Sequence, residues 1–216
     1  MTDPYHKIPT VFKRDPANKY KTLLLDEYAT PELKYLADNM WYFSEKIDGT
    51  NIRVMYDASA VKVTFGGRTE RAQLPAPLWA KLVDLFPESL FQMCDLPSLT
   101  LYGEGYGKGI QKVGGLYLSD TTNFTLFDVK IGGWWLKRDG VFDIAKRLSI
   151  STVPDLGYGS LMDAVYMAMR GFTSHLNQDM TAEGLVMRPT TQLLTREGHR
   201  IIAKIKCKDF PRPVYD

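Results

Sequence analysis

Lys46 stands in the hexapeptide Lys46-Ile47-Asp48-Gly49-Thr50-Asn51, whose residue types can do chemistry at a phosphate. A lysine amine, once deprotonated, is a nucleophile. The glycine allows a tight turn beside it. Asp48 and Asn51 can hydrogen-bond to phosphates or to metal-bound water. A free lysine has a pKa of ~10.4, and lowering it to ~8 takes about 3 kcal/mol of differential stabilisation. Burial, neighbouring lysines and a divalent cation all disfavour the ammonium. The competing reading is structural. Asp-Gly between two alternating apolar runs is a hairpin signal, and it would leave Lys46 as a surface turn lysine.

Five further clusters follow in order. Gly67-Arg68-Thr69 comes after a strand. Leu101-Tyr102-Gly103-Glu104-Gly105 sets a carboxylate at a strand end. Phe124-Thr125-Leu126-Phe127-Asp128 offers aromatics and an acid. Ala182-Glu183-Gly184-Leu185-Val186-Met187-Arg188 sets a second carboxylate before a strand. Lys204-Ile205-Lys206 puts two lysines on one strand face, because side chains alternate with period two. Lys206-Cys207-Lys208 is the alternative register. His6, His175 and His199 match no metal-ligand spacing, and Cys94 and Cys207 make neither a disulfide framework nor a metal cluster.

The elements that must position these groups read as follows. Thr30 caps a helix that has Pro31 at its first position and runs to about Asn39. Trp41–Lys46 and Ile52–Tyr56 are strands around the Asp48-Gly49 turn. Val61–Phe65, Leu99–Tyr102 and Asn123–Val129 are strands, the last turning at Gly132-Gly133 into Trp134-Trp135-Leu136. Pro77–Phe86 and Val141–Leu148 have helical spacing. Ser160–Arg170 is a helix with Ser160 as cap, Asp163 three residues on and Gly171 closing it. Leu185–Met187 and Arg200–Cys207 are strands. The class is α+β with mainly antiparallel pairing. No G-x-G-x-x-G or G-x-x-x-x-G-K-[ST] loop is present, which argues against Rossmann and P-loop folds.

The bulk properties narrow the class further. At 216 residues with 44% apolar and 24% charged side chains the chain is of ordinary globular composition. No apolar run approaches the ~20 residues of a membrane helix, and the first residues hold no signal-peptide core. The expected location is the cytoplasm, the host's if the source is viral, with no membrane partner. The formal charge is +2. Seven Lys/Arg against four Asp/Glu give Thr181–Asp216 a charge of +3, so the rest carries −1. A locally basic segment suits a phosphate-bearing polymer.

Taken together, the motifs resemble those of the covalent nucleotidyltransferase superfamily of ligases and capping enzymes. Glu45-Lys46-Ile47-x-Gly49-Thr50-Asn51, Tyr102-Gly103-Glu104, Gly109-Ile110-Gln111-Lys112, Phe127-Asp128 and Thr181-Ala182-Glu183-Gly184 are most similar to the ATP-dependent nick-sealing phage RNA ligases and the RNA-editing ligases. The similarity spans about Trp41 to Phe210. It implies a nucleotidyltransferase fold, ATP-grasp-like, with antiparallel sheets flanked by helices. It implies a lysyl–AMP on Lys46, and ATP and Mg²⁺ (or Mn²⁺) as cofactors. Lys204 and Lys206 would hold the α-phosphate and act in catalysis with Lys46. Glu183 would bind metal. Glu45, Ile47, Asn51, Arg68, Glu104 and Phe127 would bind the nucleotide, Glu104 through ribose hydroxyls and Phe127 by stacking on the base. Asp128 would orient neighbouring groups.

The resemblance also has departures. Only ten residues follow Lys206, too few for the OB domain of DNA ligases or the helical end-binding domain of RNA ligases. The expectation is a single adenylation domain over 1–216. Asp48 replaces the His of some phage RNA ligases. The expected partner is RNA, as a nicked duplex or RNA ends, RNA/DNA hybrids included, with end binding left to a separate protein or to a homodimer. The alternatives are an ATP-dependent DNA ligase, a GTP-using capping enzyme, and a non-catalytic nucleic-acid-binding protein that keeps the fold.

Overall fold

Two antiparallel sheets, each apolar on one face and polar on the other, organise the chain. The computed structural model describes residues 4–69 and 71–210, so the last residues of the basic C-terminal segment lie outside the described part. In chain order the elements are β1 (Phe12–Arg14), β2 (Leu23–Tyr28), α1 (Pro31–Tyr35), β3 (Trp41–Lys46), β4 (Thr50–Asp57), β5 (Lys62–Gly67), α2 (Ala76–Leu85), α3 (Glu88–Met93), β6 (Leu99–Gly107), α4 (Gly114–Tyr117), β7 (Thr122–Ile131), β8 (Trp134–Trp135), α5 (Arg138–Arg147), β9 (Asp155–Gly159), α6 (Leu161–Arg170), β10 (Gly184–Pro189) and β11 (Ala203–Lys206). The chain divides into two compact units. One holds Asp48–Val153 with the N-terminal segment through His6, and the other holds Lys7–Ile47 and the chain from Pro154 onward.

In the second unit the four strands lie in the order β11-β10-β3-β9. Alternation sends Trp41, Phe43, Leu185, Met187, Ala203 and Ile205 to one face, where they join a buried cluster with Leu161, Ala164, Val165 and Ala168 of α6. Helix α6 begins at a full capping box. The Ser160 hydroxyl accepts from the Asp163 N–H, and the Asp163 carboxylate accepts from the Ser160 N–H. Thr30 caps α1 as its sequence implies, but the helix stops at Tyr35 and does not run to Asn39. Past Leu36 the backbone switches to i→i−3 bonds, Ala37 N–H donating to the Lys34 carbonyl and Asn39 N–H to the Leu36 carbonyl, and tertiary donors also take the carbonyls at the end of the segment. The Trp41 indole N–H donates to the Leu36 carbonyl at 2.8 Å, and the Leu161 N–H donates to the Ala37 carbonyl at 3.0 Å. A two-stranded sheet, β1-β2, belongs to the same unit.

In the other unit five strands lie in the order β5-β4-β6-β7-β8. Ile52, Val54, Leu101, Phe124, Leu126 and Val129 form its apolar face, packed with Leu78 and Leu82 of α2, Phe91 of α3, and Val141 and Ile144 of α5. Gly103 and Gly105 also point to that face. A Cβ on Gly103 would come within 2.1 Å of the Phe124 ring, and one on Gly105 within 2.6 Å of Leu78. These glycines let Phe124 and Leu78 pack directly on β6, which explains why glycine stands on both sides of Glu104.

The hairpin reading of Asp48-Gly49 fails. Strands β3 and β4 belong to different sheets, and the boundary between the units falls between Ile47 and Asp48. Gly49 is required for another reason. A Cβ there would lie 2.3 Å from the Gly105 carbonyl oxygen, so only glycine fits beside β6.

Candidate active site

Lys46, Gly184 and Lys206 form one cross-strand row. Gly184 pairs with Lys46 on β3 and with Lys206 on β11. Because Gly184 has no side chain, nothing on β10 separates the two lysines, and Glu183 just before it fills the gap. The Glu183 carboxylate lies 2.7 Å from Lys46 Nζ through Oε2 and 2.5 Å from Lys206 Nζ through Oε1. The glutamate side chain is only 7% exposed, and each lysine is 21% exposed. The Glu183 carbonyl accepts from the Cys207 N–H at 2.9 Å, which fixes the end of β11 against the start of β10. A Cβ on Gly184 would meet the Ile205 carbonyl oxygen at 2.1 Å.

Lys204 lies two residues back on the same face of β11, paired with Val186. Residues Cys207–Asp209 leave the strand as a 3₁₀ turn, so of the two possible Lys-x-Lys registers it is Lys204 and Lys206 that share a strand face. Lys208 is exposed in the turn.

Glu45 and Ile47 behave differently from Lys46. Alternation turns Glu45 to the apolar face, where it is 1% exposed. Its carboxylate accepts from the Ser174 hydroxyl at 2.6 Å and from the His175 N–H at 2.9 Å. A buried carboxylate without such donors would be costly, so these bonds fix the 174–175 loop to the strand that carries Lys46. Ile47 is 3% exposed, and its carbonyl accepts a long 3.4 Å contact from Lys46 Nζ.

The remaining expected residues belong to the five-stranded unit. On its polar face Asn51, Glu104 and Thr125 form one row, and Arg53, Tyr102 and Asp128 form the next. The Asn51 Oδ1 and Thr125 Oγ1 atoms are buried with no hydrogen-bond partner among the described residues. They flank Glu104 in the row. A register shift between Tyr102 and Gly103 makes Phe127 the extra residue of a bulge on β7. Phe127 is half-buried outside the apolar core. Its ring meets Tyr5 edge-on at 5.0 Å, and Tyr5 also packs on Tyr102 and Trp135. The Tyr5 hydroxyl donates to Asp128 Oδ2 at 2.5 Å, and Asp128 is fully buried. Further along β6 on this face, burial pushes the Tyr106 phenol above its usual range, against the opposing hydrogen bond from Asn123. Arg68 is exposed just beyond β5.

Some contributors escaped the sequence reading. Arg53 is 3% exposed, with its Nε donating to the Gly67 carbonyl at 2.9 Å. Its place two residues after Asn51 was the available signal, since both share a strand face. Gln111, whose motif the sequence does show but without a role, donates to the Gly49 carbonyl at 3.1 Å, and the Asp48 N–H donates to the Tyr117 hydroxyl at 3.2 Å. Tyr5 is far away in sequence and carries no local signal. Among the described residues no group of three or more His, Cys, Asp and Glu side chains could hold a metal ion. Within the lysine cluster, Glu183 supplies the one carboxylate between Lys46 and Lys206. One carboxylate, completed by phosphate oxygens and water, fits the way Mg²⁺ is held beside nucleotides.

An RNA ligase family model matches residues 39–206. The chain belongs to the RNA ligase family. The fold agrees. Naegleria gruberi RNA ligase with PPi superposes with a TM-score of 0.65 at 20% identity, covering 95% of this chain and 58% of that one. A mutant of the same ligase with AMP and Mn gives 0.64 at 18% identity over the same shares. Another mutant with ATP and Mn gives 0.64 at 21% identity, covering 82% of this chain and 52% of that one. The chain thus spans under three-fifths of the length of these ligases. None of the curated proteins compared with it matches. Among the described residues no helix is long and apolar enough to cross a membrane.

Proposed function

We propose that this chain is the adenylation domain of an ATP-dependent RNA ligase that joins 3′-hydroxyl and 5′-phosphate ends through a lysyl–AMP on Lys46, and that both units are parts of this one nucleotidyltransferase domain. The observation that carries the reading is the Lys46–Glu183–Lys206 cluster in a chain of the RNA ligase family. The Naegleria ligase structures with ATP, AMP and Mn support the choice of nucleotide and of a divalent cation.

In the reaction, Lys46 Nζ gives up its proton and attacks the α-phosphorus. The new bond is P–N, and the bond to pyrophosphate breaks. Lys206 and Lys204 lie on the same sheet face as Lys46 and offset the charge that builds on the phosphate oxygens. At rest, the Glu183 carboxylate is ion-paired with Lys46 and Lys206. A Mg²⁺ or Mn²⁺ held by Glu183 would neutralise that carboxylate and the phosphates together. In the other unit, Glu104 accepts from the ribose hydroxyls, Asn51 serves phosphate or metal-bound water, Phe127 stacks on the base, and Arg68 serves phosphate or ribose. Glu45 and Ile47 act through the backbone that carries Lys46. The AMP then passes to a 5′-phosphate, and a 3′-hydroxyl displaces it to seal the strand.

The test is covalent labelling with each α-labelled nucleoside triphosphate and Mg²⁺, followed by sealing of nicks that differ only in RNA or DNA on each side. ATP should label, and a nick with an RNA 3′-hydroxyl strand should seal best, because its 2′-hydroxyl and A-form shape can be read without base contacts. Labelling by GTP in preference to ATP would point to capping chemistry. Better sealing of the all-DNA nick would point to a DNA ligase.

A further inference from the structure

Strand β11 carries Lys204 and Lys206 and is the outer strand of its sheet. The N-terminal segment, which belongs to the same unit from Lys7 onward, covers its outer edge. The Lys204 N–H donates to the Pro9 carbonyl at 2.9 Å, and the Lys204 carbonyl accepts from the Val11 N–H at 3.0 Å. Both backbone groups of Lys204 are thereby held. Val11 and Phe12 go on into the apolar cluster that contains Ala203 and Ile205.

Lys206 is held through the turn that follows it. In the 3₁₀ turn Cys207–Asp209, the Cys207 N–H donates to the Glu183 carbonyl at 2.9 Å. Phe210, just past the turn, is buried in the same apolar cluster. Between these two anchors stands Asp209, and Arg14 at the end of β1 binds it. One guanidinium nitrogen, Nη2, donates to both carboxylate oxygens, at 2.8 and 2.9 Å. The Asp209 side chain is 4% exposed and that of Arg14 27%. Hydrogen bonds between charged partners at these distances are the strong kind, and salt screens a partly buried pair little. The two residues are 195 apart in sequence, so no local signal announces the contact. Asp209 follows Lys206 by three residues, and a turn that moves carries the Lys206 ammonium with it, away from its 2.5 Å contact with Glu183.

We infer that Arg14 and Asp209 are positioning residues for nucleotidyl transfer. Their ion pair fixes the turn that ends β11, and so sets where the Lys206 ammonium stands against Glu183 and the α-phosphate. The inference rests on the reading of Lys206 as a ligand of that phosphate. Both residues act through Lys206 and not on the nucleotide. The ribose and base contacts are assigned to the other unit, so loss of the pair slows the chemical step and leaves the ATP requirement as it is.

The experiment is single-turnover adenylation with labelled ATP and Mg²⁺ over a range of ATP concentrations, at a temperature where every variant is folded. It compares the wild type, Arg14→Gln, Asp209→Asn, Lys206→Ala and the two double variants that combine Lys206→Ala with each of the others. Arg14→Gln leaves a carboxylate buried without its cation, which is costly. Asp209→Asn is the milder variant, because the guanidinium it leaves behind is partly exposed and can turn to water. Both single variants should adenylate at least about 10-fold more slowly at saturating ATP, since a misplacement near 1 Å costs on the order of 100-fold. The ATP concentration for half-maximal rate should not change. With Lys206→Ala already present, neither substitution should slow the reaction further, because the group they position is gone. A loss by the same factor with and without Lys206 would mark a merely structural role and overturn the inference. A raised ATP requirement with an unchanged saturating rate would overturn it too. A wild-type rate in Asp209→Asn, beside a slow Lys206→Ala, would refute the positioning role and leave the ligase reading standing. A wild-type rate in Lys206→Ala would refute the reading of Lys206 on which the inference rests.

Discussion

Replacing Gly184 with alanine tests whether the glycine between the two lysines is there for geometry. The added Cβ would lie 2.1 Å from the Ile205 carbonyl oxygen and 2.7 Å from Lys206 Cα. Ordinary contact begins at 3.4 Å, so β10 and β11 must separate by about 1.3 Å at this point. Both neighbours are backbone and cannot rotate away. The shift falls on the residues that hold the cluster together, because Glu183 precedes Gly184 and Lys206 pairs with it. A misplacement of about 1 Å at a reacting centre costs on the order of 100-fold in rate, or roughly 2.7 kcal/mol of barrier. Gly184→Ala should therefore form lysyl–AMP about 100-fold more slowly in a single-turnover assay with labelled ATP. Overpacking will also lower stability by ~1–3 kcal/mol, so a control is needed. Ser160→Ala removes the α6 cap and costs about 1 kcal/mol without touching the lysine row. Assayed where both variants are folded, Ser160→Ala should adenylate normally. A folded Gly184→Ala protein that adenylates at the wild-type rate would refute the reasoning.

Phe127→Leu should raise the ATP concentration needed for half-maximal adenylation by about 5- to 150-fold, the value of one lost stack. A loss of thermal stability with no change in ATP requirement would make Phe127 a packing residue. Glu183→Gln keeps the size of the side chain but removes the charge shared by Lys46 and Lys206. Adenylation should fall across the whole range of Mg²⁺ concentrations, and recovery at high Mg²⁺ would contradict a direct role. The two Ser160 donors hold the Asp163 carboxyl below the usual carboxylate range. A folded pKa below the unfolded value means stabilisation that is present above about pH 4 and lost as the pH falls through the folded value. Asp163→Asn should thus be less stable than the wild type near neutral pH, and the gap should close in acid. Urea denaturation across that range checks this, and a gap that does not change with pH would exclude the capping carboxylate as its cause.

Much of this arrangement was legible in the sequence because it follows from period-two alternation and local capping. Lys204 and Lys206 share a face for that reason. The Ser160–Asp163 box and the Thr30 cap form where their residue types imply. Other features depended on distant chain. The Asp48-Gly49 pair has the local signature of a hairpin, yet the strands on either side join different sheets, and the glycine is demanded by Gly105. Strand β9, with two glycines in five residues, has little strand propensity and is held by pairing with β3. Glu45 looked like a nucleotide-binding neighbour of Lys46, but its donors are Ser174 and His175, about 130 residues away. The bulge that sets Phe127 apart from the core, and the reach of Tyr5 to Asp128, likewise have no local signal.

The central claim is that Lys46, and no other lysine of the cluster, becomes covalently bound to AMP. Incubation with ATP and Mg²⁺, proteolysis and mass spectrometry of the peptides test it directly. The account predicts one AMP adduct on the peptide containing Lys46, absent from Lys46→Ala and absent from Lys46→Arg, because arginine does not lose its proton at working pH. An adduct on Lys204 or Lys206, or an adduct that survives in Lys46→Ala, would contradict it.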